Sequence, residues 1–460
     1  MATLINTKLG IHRGKSRIWL QGIKLSREGY EAGKRYDMTL ERRKVVLKPC
    51  VEGRYIISRR KRGDRLDPVI DITRKELADL FSGVEMLRVQ ISEGSIVITA
   101  HGQTDRIAER EKRLLDKIKT GGTLRVGSLF HGGGCLDRAL HEGFAEAGIR
   151  TKVGAAVELE GKYLDASLAN NPEIWDKHSI PMETPLQALN LRGTPLQFDV
   201  VAAGIPCTGA SLAGRASNHL QHAEDHDHAG ALFFNFLSFV EAVNPAIVIG
   251  ENVVPYQTSA GMSVVRSVLG SLGYDVHERI MSGNECGALE NRERLCIVAI
   301  SKGFSGSYDI ADASPTQQKP ATIASILEPF ADIPDTAWKT YDYMADKAER
   351  DLAAGKGFKR QLVTADAEKV GTIGRGYSKA RSTEPFLIHP YDDSLSRLFT
   401  PKEHARLKSI PESVISGLSA TIAHQILGQS VIFPMFTTLA RSIGEAFQRI
   451  AAPVQRSLAA

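Results

Sequence analysis

The chain has 460 residues, of which 42% are hydrophobic and 24% charged, a balance that excludes a disordered polyelectrolyte and leaves room for two or three packed cores. No apolar run approaches the roughly 18 residues a bilayer span needs, and the opening MATLINTKLGIHRGKSRIWL lacks the apolar segment of a secretion signal, so no membrane partner and a cytoplasmic location are expected. The formal net charge of +5 is modest, but cations crowd the stretch before residue 63, from Arg13 and Lys15 to the run Arg59-Arg60-Lys61-Arg62, and clustered cations favour a polyanion by releasing its counterions.

Taken in chain order, short β-like runs punctuated by glycine, such as Arg17-Ile18-Trp19-Leu20, Lys44-Val45-Val46-Leu47 and Ser95-Ile96-Val97-Ile98, mark residues 1–103 as a basic β-rich module. Residues 104–122 contain the charged helical stretch Asp105 to Lys119, which reads as a solvated connector ending at Gly121-Gly122. Across 123–305, apolar strands (LRVGSLF, TKVGAAVE, FDVVAAG, AIVIGEN, RLCIVAI) alternate with helical segments. That alternation predicts an α/β fold, a mostly parallel sheet covered by helices with ligands at the carboxyl ends of its strands. Gly, Pro and polar residues thicken over 306–394, and 395–460 ends in a helix from Phe433 to Ala451 expected to return to the core. No internal repeat and no low-complexity tract is evident.

Chemistry gathers on the strand ends. Gly204-Ile205-Pro206-Cys207 leaves an apolar strand, where a cysteine can act as a nucleophile if its thiolate is stabilised; most such cysteines are simply small core residues. Glu251 occupies the corresponding loop of the next strand, able to hydrogen-bond a ring nitrogen and supply a proton, or to cap a helix. Phe130-His131-Gly132-Gly133-Gly134 forms a glycine-rich turn after the first strand, and Glu158-Leu159 ends the second, where such sheets hold ribose hydroxyls. Neither GxGxxG nor GxxxxGK is present, which disfavours NAD and ATP. The five cysteines, Cys50, Cys135, Cys207, Cys286 and Cys296, form no CxxC pair and suggest reduced thiols.

Together these residues resemble the DNA cytosine-5 methyltransferase family over most of 124–301 and 395–445. Phe130-x-Gly132-x-Gly134 is similar to its cofactor loop, Glu158 to its ribose-binding acid, Gly204 to Cys207 to its Pro-Cys loop, and Glu251-Asn252-Val253 to its ENV tripeptide. Asn291-Arg292-Glu293-Arg294 resembles the arginine motif, and the stretches Arg397 to Glu403 and Gly428 to Pro434 resemble the two closing motifs. The sequence departs from the family at Thr208, usually Gln, at Glu290, usually Gln, at Gln429, usually Asn, and at Cys135, commonly Gly.

The resemblance implies a Rossmann-like core that uses S-adenosyl-L-methionine, with Cys207, Glu251, Arg292 and Arg294 catalytic and Arg294 holding the cytosine O2. It implies cofactor contacts from Phe130, Gly132, Gly134, Glu158, Leu159, Gly204, Pro206, Leu232, Gln429, Ser430 and Val431. Duplex DNA would be the partner, with a flipped cytosine and contacts from Arg215, Thr372, Arg375 and Lys379, in the setting of a bacterial, plasmid or phage restriction-modification system. The region 306–394 would recognise the target, and the polar stretch Leu212 to Gly230 would form a closing loop. Its His219, His222, His226 and His228 show no recognised metal-ligand spacing, so no metal is expected. The run Arg17 to Lys48 loosely resembles swapped-hairpin DNA-binding domains, which would imply a homodimer through the N-terminal module. A tRNA cytosine-5 methyltransferase and a catalytically decayed DNA-binding regulator stay open as alternatives.

Overall fold

A computed structural model describes residues 2–41, 43–63, 65–82, 84–191, 193–206, 232–355 and 360–452. Cys207, Thr208, Arg215 and the histidine-bearing stretch 212–230 lie outside the described residues. The chain divides into two compact units, Met1–Glu109 and Arg110–Ala460, the boundary falling inside the helix Gly102–Lys119.

Among the described residues the first unit holds ten strands: β1 (Thr3–Lys8), β2 (Gly10–His12), β3 (Lys15–Gln21), β4 (Arg35–Glu41), β5 (Lys44–Pro49), β6 (Tyr55–Ile56), β7 (Ser58–Arg62), β8 (Arg65–Arg74), β9 (Met86–Ser92) and β10 (Ser95–Ala100). They build a six-stranded sheet ordered β1-β9-β10-β5-β4-β6 and a four-stranded sheet ordered β2-β3-β8-β7. Exchanging β1–β5 with β6–β10 reproduces both orders reversed, so the unit contains an internal duplication with a pseudo-two-fold axis. Registers obey it: Ile18 pairs Ile72 and Leu20 pairs Ile70, with Trp19 opposite Asp71 at the axis, while Leu47 pairs Ile96 and Val45 pairs Ile98. A short helix follows the third strand of each half, Ile23–Arg27 and Glu76–Leu80, each burying one leucine, Leu25 or Leu77.

The expectation of no internal repeat is thereby corrected. The halves share buried apolar positions rather than a spelled motif, and alternation on a pleated strand needs only apolar residues on one face. The strand pairing that a swapped-hairpin homodimer would supply is made here within one chain.

The helix Gly102–Lys119 is not merely a solvated connector. Arg110 is buried, donates from Nε to Ser301 Oγ (2.8 Å) and from Nη2 to Gly273 O (2.6 Å), and stacks on Tyr274 with its guanidinium carbon 3.7 Å from the ring centre. Leu114 and Ile118, one turn apart on that face, are buried as well.

The second unit is mixed α/β. Its seven-stranded sheet uses β11 (Leu124–Leu129), β12 (Thr151–Glu158), β13 (Ile180–Glu183), β14 (Val200–Gly204), β15 (Ile247–Asn252), β16 (Tyr274–Ser282) and β17 (Glu293–Ser301), ordered β13-β12-β11-β14-β15-β17-β16. The five strands from β13 to β15 run parallel, and β17 runs antiparallel between β15 and β16. Strands such as Val200–Gly204 are apolar on both faces because helices cover both. The helix Phe433–Ala451 closes one face against the helix Cys135–Glu146, and a Cβ on Gly143 would collide with the Thr437 carbonyl, so glycine sets how near the two helices approach. Among the described residues, no single helix is long and apolar enough to cross a membrane.

Between β17 and the closing helices lies a smaller region around β18 (Gln361–Val363), β19 (Pro385–Ile388) and β20 (Ser396–Arg397), with a core that includes Ile333, Trp338, Ile373, Tyr377, Leu387 and Phe399.

Replacing Arg110 with alanine strips a charged donor from buried acceptors, at a cost of about 1.5–3 kcal/mol. A lower thermal midpoint for Arg110→Ala is expected by calorimetry, and an unchanged midpoint would contradict the packing role given to this helix.

Candidate active site

The chain winds from β11 outward through β12 to β13, then returns to place β14 on the other side of β11. This reversal opens a crevice at the carboxyl ends of β11 and β14, the place where such sheets bind ligands. Register brings four residues to one level of that rim. Leu129 aligns with Val157 and with Ala203, so Glu158, Phe130 and Gly204 stand one step beyond, and Gly204 pairs Glu251. At about 4.8 Å per strand, Glu158 and Glu251 lie on the order of 14 Å apart.

The loop after β11 is built for backbone approach. Phe130, Gly132 and Gly134 all have positive φ, at 57°, 58° and 78°, and a Cβ on Gly134 would strike Ser167 Oγ. Beneath the loop His131 is buried, with Nδ1 2.9 Å from Asp137 Oδ2 and Nε2 2.7 Å from Ser167 Oγ, while Ser128 Oγ donates to Asp137 Oδ2 at 2.7 Å. This network is not legible in the sequence, because Asp137 and Ser167 lie on separate helices and meet His131 only in the fold.

Glu158 fastens the turn. Its carboxylate accepts the N–H of Gly132 (2.7 Å) with one oxygen and those of Leu159 and Glu160 (3.0 Å each) with the other. A carboxylate offers about four lone-pair sites, so room for a hydroxyl donor is left. The Leu159 side chain is exposed, whereas Leu232, at the start of the helix Leu232–Val243, is buried. From the far end of the chain, the Gln429 amide nitrogen lies 3.9 Å from where a Gly132 Cβ would be. Ser430 and Val431 are buried behind it, and Ser430 Oγ donates to Ile426 O at 2.6 Å.

On the other side of the crevice, Glu251 Oε2 is 3.8 Å from the corresponding Cβ point of Gly204. Asn252 donates to Ile205 O at 3.3 Å and steadies the loop that leads through Pro206. Arg294, reaching over from β17, sets Nε 2.6 Å from Glu251 Oε1, both side chains being mostly buried. The contact is an ion pair not aligned as a hydrogen bond, which leaves the buried Nε–H without an acceptor.

Residues 124–445 match the family described as C-5 cytosine-specific DNA methylase. The chain belongs to that family. Type II methyltransferase M1.ScrFI of Lactococcus lactis subsp. cremoris is 28% identical over 259 residues, which is 55% of this chain and 63% of the relative. Type II methyltransferase M.NlaX of Neisseria lactamica is 29% identical over 259 residues, 55% of this chain and 78% of the relative. The chain thus spans less than two thirds of the Lactococcus protein. The crystal structure of S. pombe Dnmt2 methyltransferase shares the fold, with a TM-score of 0.55 at 19% identity over 71% of this chain and 99% of that one.

The two arginines of the arginine motif part company. Arg294 joins Glu251 in the crevice, whereas Arg292 is buried and donates to the carbonyls of Gly428 (3.2 Å) and Ile373 (3.4 Å). Arg292, expected to be catalytic alongside Arg294, ties the loop at 373 to the closing motif with its guanidinium. Of the residues expected to touch DNA, Thr372, Arg375 and Lys379 are exposed, but Arg375 turns to Glu160 Oε1 at 3.3 Å and lies over Tyr163.

The departure at Glu290 has a partner that sequence reading missed. Glu290 and Lys408 are both fully buried, with Nζ 3.3 Å from Oε1, and the same carboxylate oxygen accepts the Ile373 N–H at 3.3 Å. Lys408 also donates to Ser430 O at 3.4 Å. An acid in place of an amide calls for a cation, but nothing in the chain says which of 58 Lys and Arg residues answers.

Burial, helped by neighbouring Arg292, pulls the Lys408 ammonium down to about 7 against the attraction of Glu290. The folded value lies below the ordinary 10.5, so between these values the unfolded chain binds the extra proton and stability rises with pH. Unfolding of the parent chain should therefore grow harder from about pH 7 upward relative to Lys408→Met. Parallel pH profiles of the denaturant midpoint would contradict the assignment.

Proposed function

We propose that the protein transfers a methyl group from S-adenosyl-L-methionine to carbon 5 of a cytosine swung out of duplex DNA. The observation that carries this reading is the buried Glu251–Arg294 pair beside Gly204, three residues before Cys207, on the same sheet rim as the Glu158-fastened glycine loop. A carboxylate and an unsaturated guanidinium facing one crevice suit the edge of a pyrimidine carrying N3 and O2.

The residues fit the methyl donor. Glu158 has capacity left for ribose hydroxyls, the turn from Phe130 to Gly134 exposes backbone to a close-lying nucleoside, and Gln429 borders Gly132. When bound, S-adenosyl-L-methionine supplies a methyl group on a positively charged sulfur.

The Cys207 thiolate would add to C6, forming an S–C6 bond and pushing electrons toward C5, while Glu251 engages N3 with the proton that balances the growing charge. Arg294 would hold O2. C5 then takes the methyl group, the donor sulfur keeping the electron pair of the broken bond. Removal of the C5 proton restores the ring as the S–C6 bond breaks and the thiolate returns. Other cysteines are poorly suited: burial pushes Cys135 up to about 11 and Cys286 up to about 12, and raises Cys296 as well.

The relatives named as type II and DNA-cytosine methyltransferases support duplex DNA as the substrate. Labelled methyl transfer from S-adenosyl-L-methionine should appear on duplex DNA and not on tRNA; exclusive tRNA labelling would overturn the DNA reading. Cys207→Ala should abolish transfer while DNA binding persists, and Glu251→Gln should lower kcat by about 10²–10⁴-fold. Full activity in either variant would overturn the role given to that residue.

A further inference from the structure

Three ionisable side chains sit in the interior of the second unit, and the proposed chemistry uses none of them. Glu290 and Lys408 are fully buried and Arg292 nearly so. Apolar side chains of similar volume often stabilise a core as well as a buried ion pair does, so packing does not account for the pair. What an ion pair adds is direction, and its contacts show where this one is aimed.

Lys408 follows the helix Pro401–Leu407 as its C-terminal cap. Its ammonium lies 3.3 Å from Glu290 Oε1 and donates to the Ser430 carbonyl at 3.4 Å. Ser430 follows Gln429, an exposed residue whose amide borders Gly132 of the glycine loop. On the other side, the same Glu290 oxygen accepts the N–H of Ile373, which stands between exposed Thr372 and Gly374. Arg292 closes the circuit by donating to the carbonyls of both Gly428 and Ile373. Two residues later, β17 carries Arg294 to Glu251.

The backbones joined in this way also touch. A Cβ on Gly428 would overlap the Gly374 carbonyl and the Arg375 nitrogen, so neither segment can shift alone. Main-chain hydrogen bonds already hold the junction together: Glu290 N–H to Leu407 O (2.9 Å), Asn291 N–H to Val370 O (2.9 Å) and Phe433 N–H to Lys408 O (3.2 Å). Adjacency is therefore secured without the Lys408 side chain, which leaves it the finer task of fixing where residues 429–430 and 373 stand.

We propose that Lys408 is a positioning residue for the methyl donor: braced by Glu290, it holds the Ser430 carbonyl so that Gln429 faces the glycine loop, and the shared carboxylate ties that seat to the loop at 373. The inference rests on the reading that the crevice takes S-adenosyl-L-methionine and DNA. Because one carboxylate serves both segments, donor and duplex binding are coupled through it, and such coupling is reciprocal.

The test uses the full chain and S-adenosyl-L-homocysteine, the donor without its methyl group, whose binding is read by calorimetry without turnover. Two paired variants separate direction from packing. Glu290→Leu with Lys408→Met leaves no charge of the pair uncompensated and should fold with a thermal midpoint near the parent's. It should nevertheless bind S-adenosyl-L-homocysteine about 10- to 100-fold more weakly, the loss that accompanies one charge-assisted hydrogen bond. KM for S-adenosyl-L-methionine should rise by the same factor while kcat at saturation is kept. Glu290→Gln with Lys408→Gln keeps a donor for Ser430 and an acceptor for Ile373 and should restore both constants. On a duplex that the parent methylates, S-adenosyl-L-homocysteine and DNA should strengthen one another's binding by one shared factor. That factor should fall in the apolar pair and return in the amide pair. Parent-like affinity in the apolar pair would overturn the proposal, as would an amide pair as weak as the apolar one, a loss confined to kcat, or an unchanged coupling factor. Where the apolar pair fails to fold the amide pair still decides, since weak binding by a folded amide pair overturns the proposal on its own. A parent chain that binds no S-adenosyl-L-homocysteine would sink the enzymatic reading as well; a parent that binds it, with affinity indifferent to both pairs of substitutions, sinks the proposal alone.

Discussion

The register of a parallel sheet is the constraint on which the second unit depends. Because β11, β12, β14 and β15 run parallel and nearly in step, the residues at or just past their carboxyl ends, Phe130, Glu158, Gly204 and Glu251, come to one level of one rim. Slipping any strand by one residue would turn its side chains to the opposite face and remove its contribution from the crevice. The sheet is held to that register by apolar residues on both faces, so the site's geometry is a by-product of core packing.

A second constraint acts at right angles to the first. Glu290, Arg292 and Lys408 place three ionisable groups in the interior, where isolated charges are expensive and pairing must be good. Between them they fix the Ile373 backbone, the Gly428 carbonyl and the Ser430 carbonyl. Segments distant in sequence, the arginine motif, the loop at 373 and the segment leading into the closing helix, are thereby fastened to one point. The replacement of an amide by Glu290 is tolerated because Lys408 compensates it, and the pair makes the junction sensitive to protonation.

The N-terminal unit solves a different problem. Two β-β-β-α-β-β halves that exchange their outer strands could each be a chain of a dimer; covalent joining removes the dependence of assembly on protein concentration. Duplication also copies the hairpins, in which His12 pairs Lys15 across one turn as Arg62 pairs Arg65 across the other. Exposed charge is free to persist at such positions because no packing selects against it.

The sequence alone determined the class of the core, the order of its strands along the chain and the strand-end places of Glu158, Glu251 and the glycine loop, because strand periodicity, strand-end position and glycine placement are local properties of the chain. Tertiary structure decided what distant residues do to one another: that Arg294 meets Glu251 while Arg292 faces away, that Lys408 answers Glu290, that Arg110 is buried against Tyr274, and that residues 1–100 are a folded-back duplication. Those outcomes depend on which surfaces pack together and on charges finding partners across the core, and neither the identity of a side chain nor its spacing along the chain specifies its neighbour in space.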